Sequence, residues 1–396
     1  MKIMRRAGSK VLVFAASGVM AVAAWTPAAR AERAARAAAD PPGWRLEHTF
    51  GSCFGVTNSV TATSANDAWA VGEWYGCGSA QIHDHQVARW NGSSWHELPH
   101  APGFGFSDVA ISVGTAVAAL SSSYSWAFID RRSSVDASTG KSFALLWRGD
   151  RWRTFRLVDG STITSAVAFS QSDAWAFGSI PSGQGKAAYA VRFNGTRWRR
   201  VRVPVVPQAT AAPGRRNVWA VGPLLSAAVY PFPRRWALSH WTGRWHTTLL
   251  PDLSLSPGRH IEGISVVTDG SSGAWVAITT FNNGPEPYAN GSVLLHWTGK
   301  RWLTVVPTIL SAGLGPLAHD GHGGLWIWWT PVDNSPLGMI HRSATGAWSE
   351  VPLPNAVGYP GVLAMRQIPG TGSVWAAGTE QIRGGAQVAA IYKYGH

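Results

Sequence analysis

The chain of 396 residues has only 2 cysteines and 5 methionines, and charged side chains make up just 14% of it. Two cysteines exclude a disulfide-dense scaffold, and Cys53 and Cys77 do not form the C-x-x-C pair of a structural zinc site. Low charge beside 45% hydrophobic residues excludes a disordered chain. Past the N-terminal region, no stretch approaches the roughly 20 uninterrupted apolar residues of a transmembrane helix. A basic helix, an aromatic RNA-recognition signature and a zinc finger are all missing, so nucleic acid is not an expected partner. Nucleophile elbow, zinc-protease helix and phosphate-binding glycine loop are missing as well. What the chain has in abundance is 44 Gly, 24 Pro and 23 Trp, a composition that punctuates turns and disfavours helix interiors. An all-β protein is expected.

The first ten residues are basic, Val11 to Trp25 form an apolar run of signal-peptide length, and Ala29-Arg30-Ala31 offers the small residues that a signal peptidase requires. Residues 1–31 therefore read as a signal peptide, 32–42 as a disordered linker and 43–396 as the folded domain of a secreted, extracellular protein. Arg5-Arg6 hints at the twin-arginine route, but Ala7-Gly8-Ser9 lacks the apolar residues that should follow, which favours general secretion. Without its first 31 residues the chain keeps 29 basic and 21 acidic side chains, a formal +8 that suits anionic partners.

Self-similarity is the informative feature. Asp67-Ala68-Trp69-Ala70-Val71-Gly72 returns as Asp173-Ala174-Trp175-Ala176-Phe177-Gly178, as Asn217-Val218-Trp219-Ala220-Val221-Gly222 and as Ser373-Val374-Trp375-Ala376-Ala377-Gly378. Weaker copies surround Trp126, Trp275 and Trp326. The seven Trp are 57, 49, 44, 56, 51 and 49 residues apart, the period of propeller blades. An alternating strand, a Gly turn and a further Trp follow each anchor, as in Ala88-Arg89-Trp90-Asn91-Gly92-Ser93-Ser94-Trp95 and His240-Trp241-Thr242-Gly243-Arg244-Trp245. The seventh copy stops at His396 before its last strand, whereas Gly43-Trp44-Arg45-Leu46-Glu47-His48 has that strand's form and no anchor before it. Supplying the last blade's outer strand from the N-terminus closes a ring and removes the open edge. The expected fold is an all-β, seven-bladed β-propeller of four-stranded blades.

These residues resemble bacterial exported propellers built on a D-x-W-A-V-G then H-W-x-G-x-x-W repeat, and more loosely kelch, WD40 and Asp-box propellers. The likeness spans nearly all of residues 43–396. It departs from WD40 in lacking G-H and W-D pairs, from kelch in lacking the recurrent double glycine, and from sialidases in lacking S-x-D-x-G-x-T-W. The resemblance implies the architecture and not those families' enzymes.

Eighteen of the 23 Trp recur at fixed places in the repeat, which assigns them to packing between blades, each indole N–H with one partner. Trp25 belongs to the signal peptide, leaving Trp74, Trp236, Trp328 and Trp329 off the pattern. Trp328 and Trp329 continue one strand, so one is expected to face inward and one outward, and Trp74 is the better candidate for ligand contact. Connections from second to third strand and from outer to next inner strand are long, and in a propeller both emerge on one face around the central opening. They offer Trp74, Tyr75, Phe104, Phe106, Arg131, Arg132, Tyr230, Phe232, Arg259, His260, Glu262 and Tyr288. Aromatic and Arg side chains around a concavity suit a glycan, an anionic cell-surface polymer or a protein.

Cys53 precedes the first blade's inner strand and Cys77 follows its second, so a disulfide closing a 24-residue loop is expected. His83-Asp84-His85 has the spacing for two metal ligands but no third, and His319-Asp320-Gly321-His322 falls on the opposite face, so neither metal nor cofactor is assigned. Glu73, Asp84, Glu262 and Glu286 can reach the opening, but no acid–base pair is identifiable. The sequence thus favours a monomeric binding module. A glycoside hydrolase or lyase on the same face, and a structural or assembly protein, stand as alternatives.

Overall fold

The computed structural model describes residues 43–51, 54–75, 84–104, 110–133, 140–183, 185–225, 235–253, 259–270, 272–282, 291–305, 312–331, 338–353, 361–382 and 385–395. The described chain forms seven antiparallel sheets of four strands each. In the first blade these are Phe54–Ser64, Asp67–Tyr75, Asp84–Trp90 and Trp95–Glu97, running from the inner strand to the outer one. The expected seven-bladed propeller is the observed fold.

Why the motif reads W-A-V follows from strand geometry. Successive side chains point to opposite faces of a sheet, and both faces of a blade meet a neighbour. Trp69 and Val71 face the second blade, where Ala127 and Ile129 lie, while Ala68 and Ala70 receive Trp375 from the seventh. The same arrangement puts Trp126 and Phe128 against Ala174 and Ala176, and Trp219 against Ala274 and Val276. Each motif is thus a bulky face that fills the next blade and a small face that accepts the previous one. All seven anchor Trp are 0–7% exposed.

The expectation of one partner for every anchor indole is corrected. Trp219 Nε1 donates to Asn217 Oδ1 at 2.6 Å, but the N–H groups of Trp69, Trp126, Trp175, Trp326 and Trp375 meet no acceptor among the described residues. Rings surround them instead: Trp126 packs edge-on to Phe193 at 4.8 Å and to Trp198 at 4.9 Å. Three outer-strand Trp do find partners, whereas the indole N–H groups of Trp44, Trp95 and Trp198 meet none among the described residues. Trp152, Trp245 and Trp302 donate to the carbonyls of Pro99, Arg202 and Leu249, each at the outer end of the preceding blade. These bonds latch neighbouring blades at the rim.

The motif glycine has a steric reason. Thr57 pairs with Gly72 and Ser59 with Val71, so the inner strand bulges at Asn58, opposite the glycine. A Cβ on Gly72 would lie 2.0 Å from the Val56 carbonyl oxygen, and one on Gly178 would lie 1.8 Å from that of Thr162. The bulge recurs at Thr164 and at Leu363.

Closure occurs as expected. Trp44–Phe50 pairs with Gln387–Tyr394, from Trp44 opposite Tyr394 to Phe50 opposite Ala389, and completes the seventh sheet. Trp44 and Phe50 are buried, and Trp44 stands edge-on to Trp326 of the sixth blade, the centroids 5.4 Å apart. Trp328 and Trp329 do point to opposite faces, but neither is outward in the sense of free: Trp328 packs toward the seventh blade and Trp329 toward the fifth. A radial sheet with a neighbour on each side has two inner faces.

Candidate functional site

The short turns between inner and second strands carry a recurrent polar cluster. Opposite each anchor Trp on the third strand lies Arg89, Leu146, Arg192, His240, His296, His341 or Lys393. Except for Leu146, these flat or cationic groups lie over the indole. His240 and His296 stack on Trp219 and Trp275 with centroids 3.7 and 4.0 Å apart and planes within 7° of parallel. Arg192 lies 5.0 Å above the Trp175 ring and Lys393 5.2 Å above that of Trp375. Their outer ends reach the turn: Arg89 donates to Asp67, Arg192 donates with two nitrogens to Asp173, and His296 and His341 donate to Asp269 and Asp320. The signal was present in the sequence, since Arg89, His240 and His296 each precede a Trp, but no role was read from it.

Asp320 belongs to this cluster. Burial alone would raise its pKa, yet the His341 bond and the backbone N–H groups of His322 and Gly324 win and hold it below the usual 3.8. Burial, assisted by His246, lowers the pKa of His240. His319 bonds the Thr268 carbonyl. The His319 to His322 segment is therefore a fold element of the short-turn face, and no group of metal-ligating side chains occurs among the described residues.

On the long-loop face, Phe104 is buried, edge-on to Phe143 at 4.8 Å and to His85 at 5.5 Å. Arg131 donates to the Gly103 carbonyl at 3.0 Å and lies 5.8 Å from the Phe104 ring. Those two expected site residues come together, fastening the loop that enters the second blade. His260 and Glu262 open the fifth inner strand, His260 edge-on to Phe281 at 5.8 Å and Glu262 exposed at the bulge. Trp74 and Tyr75 close the second strand of the first blade, Arg132 lies in the second strand of the next and Arg259 begins an inner strand, but their side chains fall outside what is described, as does that of Asp84. Phe106, Tyr230, Phe232, Tyr288, His83, Glu286, Cys53 and Cys77 lie outside the described residues, and so do residues 1–42. Phe54 and Tyr75, next to the cysteine-bearing segments, pair in register.

A feature the sequence reading passed over lies on the outer rim. Arg148, Arg151, Arg153 and Arg156 of the second blade and Arg197, Arg199, Arg200 and Arg202 of the third are all exposed. Three have their guanidinium groups over aromatic rings: Arg148 on Tyr124, Arg153 on Phe155 at 4.6 Å and Arg200 on Tyr189. Stacking orients the planar fork and leaves in-plane N–H donors for an external group. Asp159 pairs with Arg156 at 2.5 Å. Arg148, Arg151, Trp152 and Arg153, with Pro102 from the first blade, line a groove of about 530 Å³. The outer strands of the other blades differ: Trp95–Glu97 carries His96 and Glu97, Trp348–Pro352 carries Glu350, and Arg45 is paired with Glu47 at 2.9 Å.

Comparison with known proteins yields fold and nothing finer. No protein-family model matches the chain, and no curated protein matches its sequence. Among solved structures, an ulvan lyase of polysaccharide lyase family PL25, bound to -[GlcA(1-4)Rha3S]-, is 11% identical with a TM-score of 0.52, covering 89% of this chain and 96% of its own. YCF48 bound to a D1 peptide is 11% identical with a TM-score of 0.50, covering 90% of this chain and 96% of its own. An alpha-L-arabinanase of Penicillium chrysogenum, complexed with arabinobiose, is 11% identical with a TM-score of 0.50, covering 90% of this chain and 99% of its own.

Proposed function

We propose that the protein is an exported, non-catalytic binding propeller whose ligand is an anionic polymer of the cell surface, an acidic polysaccharide or wall polymer. The observation that carries this reading is the concentration of eight exposed Arg on the rims of two adjacent blades. Unpaired outer edges are often guarded with charge against association, but guarding would apply to all seven blades. Exposed cations also stand on the outer turns of the fourth and fifth blades, at Arg244, Lys300 and Arg301, but among the described residues only the second and third blades carry two Arg within the outer strand itself. Guanidinium forks bind carboxylate and sulfate bidentately, and a row of them suits a chain of repeating anions. Pro102 of the rim groove stands next to Gly103, whose carbonyl Arg131 holds, so a long ligand can run from rim to face. The lyase among the structural neighbours carries a sugar-acid ligand on a propeller, which supports the class of ligand and not its identity.

The test is retention of the protein on immobilised polygalacturonate, heparin and neutral dextran over a salt gradient, with chromatography of any released sugar. Wild type is expected to hold to the acidic matrices only. Arg153→Gln/Arg199→Gln/Arg200→Gln is expected to weaken binding at least tenfold and to flatten its salt dependence. Equal retention on dextran overturns the reading, and release of oligosaccharide replaces it with an enzyme. Full retention by the triple variant with loss on Trp74→Ala moves the site to the long-loop face.

A further inference from the structure

The inner strands of all seven blades surround a central channel of about 710 Å³, within the roughly 300–1,000 Å³ of ligand sites. Its wall is made of small aliphatic, hydroxyl and amide side chains, among them Asn58, Ser59, Thr164, Thr210 and Ser265. Among the described residues, two titratable side chains line it, Arg366 and His319, and no carboxylate does. Pro213, Pro369 and Gly370, beside the short turns, also belong to the lining, so the channel extends to that face.

Arg366 is the next-to-last residue of the inner strand Gly361–Gln367. Its side chain is exposed within the channel, where the surrounding protein lowers its pKa by desolvation, and it has no ion pair or hydrogen bond among the described residues. Three other cations of this face have a carboxylate partner: Arg89 has Asp67, and Arg192 and Arg215 share Asp173. His319 is held by the Thr268 carbonyl and brings no negative charge. A guanidinium facing a concavity that holds no counter-charge among the described residues makes the channel locally attractive to anions. The planar fork of Arg366 offers five N–H donors to the channel.

We infer that the central channel is a binding site for a small solute bearing a carboxylate, sulfate or phosphate group, with the Arg366 guanidinium as its anchor. Channel hydroxyls and amides complete the hydrogen bonding of the anionic group. Among the described residues the wall adds no second Lys or Arg, which limits the ligand to one principal anionic group seated at Arg366. This site is separate from the rim arginines and does not rest on the polymer reading.

The experiment is thermal unfolding and calorimetric titration of the full protein with sulfate, phosphate, acetate and galacturonate against chloride at matched ionic strength. Arg366→Gln, Arg366→Lys and the rim triple variant are compared with wild type. At least one oxyanion is expected to raise the Tm of wild type saturably and to bind with one-to-one stoichiometry. Arg366→Gln should lose that affinity at least tenfold while melting no lower than wild type without ligand, Arg366→Lys should retain part of it, and the rim variant all of it. An equal response in Arg366→Gln overturns the proposal, as does a wild-type response no larger than that to chloride. If Arg366→Gln does not fold, the Arg366→Lys affinity decides: an unchanged value for every oxyanion overturns the assignment of the bidentate fork.

Discussion

His296 lies flat on Trp275, the ring centroids 4.0 Å apart and the planes 3° from parallel, while its Nε2 meets Asp269 Oδ2 at 2.6 Å. One side chain thus ties the blade core to the turn that caps it. The strongest form of this clamp is at Asp173, whose carboxylate is buried and takes Arg192 at 2.7 Å and Arg215 at 2.7 Å.

Asp173→Ala leaves two guanidinium groups without their shared acceptor. Its expected cost is about 1–3 kcal/mol, because charge-assisted bonds to a buried carboxylate are lost together. Asp159→Ala is the control, since Asp159 pairs only with Arg156 at the surface, and it should leave the urea midpoint unchanged. Equal midpoints for the two variants would show that the clamp contributes nothing.

Gly178→Ala tests the bulge. The added methyl would stand 1.8 Å from the Thr162 carbonyl oxygen, which is backbone and cannot swing aside. A loss of about 3 kcal/mol or more is expected. At Gly183, where an added Cβ meets nothing within 4 Å, Ala should be tolerated. Chemical denaturation of both variants checks the contrast.

Glu380 sets an acid-side dependence. Burial raises its pKa above the ordinary 4.5, and the bonds from the Tyr392 hydroxyl and the Gln381 N–H only partly counter that shift. The native state therefore holds this proton more tightly than the unfolded chain does. Its contribution is full below about pH 4.5 and is lost as pH rises through the native value. Glu380→Gln, which keeps an acceptor for Tyr392, should raise Tm at pH 7 and flatten the slope just above pH 4.5. His240 has the opposite sign. Its lowered pKa makes stability fall as pH drops through the usual 6.5, so His240→Gln should remove that component from a Tm-against-pH series.

Removing residues 1–50 strips the closing strand and exposes the edge Gln387–Tyr394. Trp44 and Phe50 leave the core with it, and Tm is expected to fall by more than about 10 °C. An unchanged melting curve would show that the ring does not depend on its seam.

Architecture was legible because the anchor Trp and its Ala neighbours do the same work in every blade. A residue pattern that repeats seven times reports a packing rule, and the stray strand at Trp44 reported the seam. Arg89, His240 and His296 were visible beside their Trp, but stacking across strands depends on register, which the order of residues along one strand does not reveal. The motif glycine was visible as well, and its cause, a bulge in the facing strand, lies about 15 residues away. Arg366 carried no signal: it differs from the rim arginines only in standing where seven inner strands converge. Loop residues such as Tyr230 and Tyr288 obey no repeat at all, and that is why residue type alone suggested them.

The split of the seventh blade between the two ends of the chain has a consequence in time. Trp44–Phe50 is made first and Gln387–Tyr394 last, so the earliest strand waits for the final one through the synthesis of six intervening blades. Until the C-terminus is released, the nascent protein is an open arc with two exposed edges, each complementary to the other and to those of a second arc. Pairing of Trp44–Phe50 with Gln387–Tyr394 removes both edges in one step, so the strand made last is the one that locks the ring.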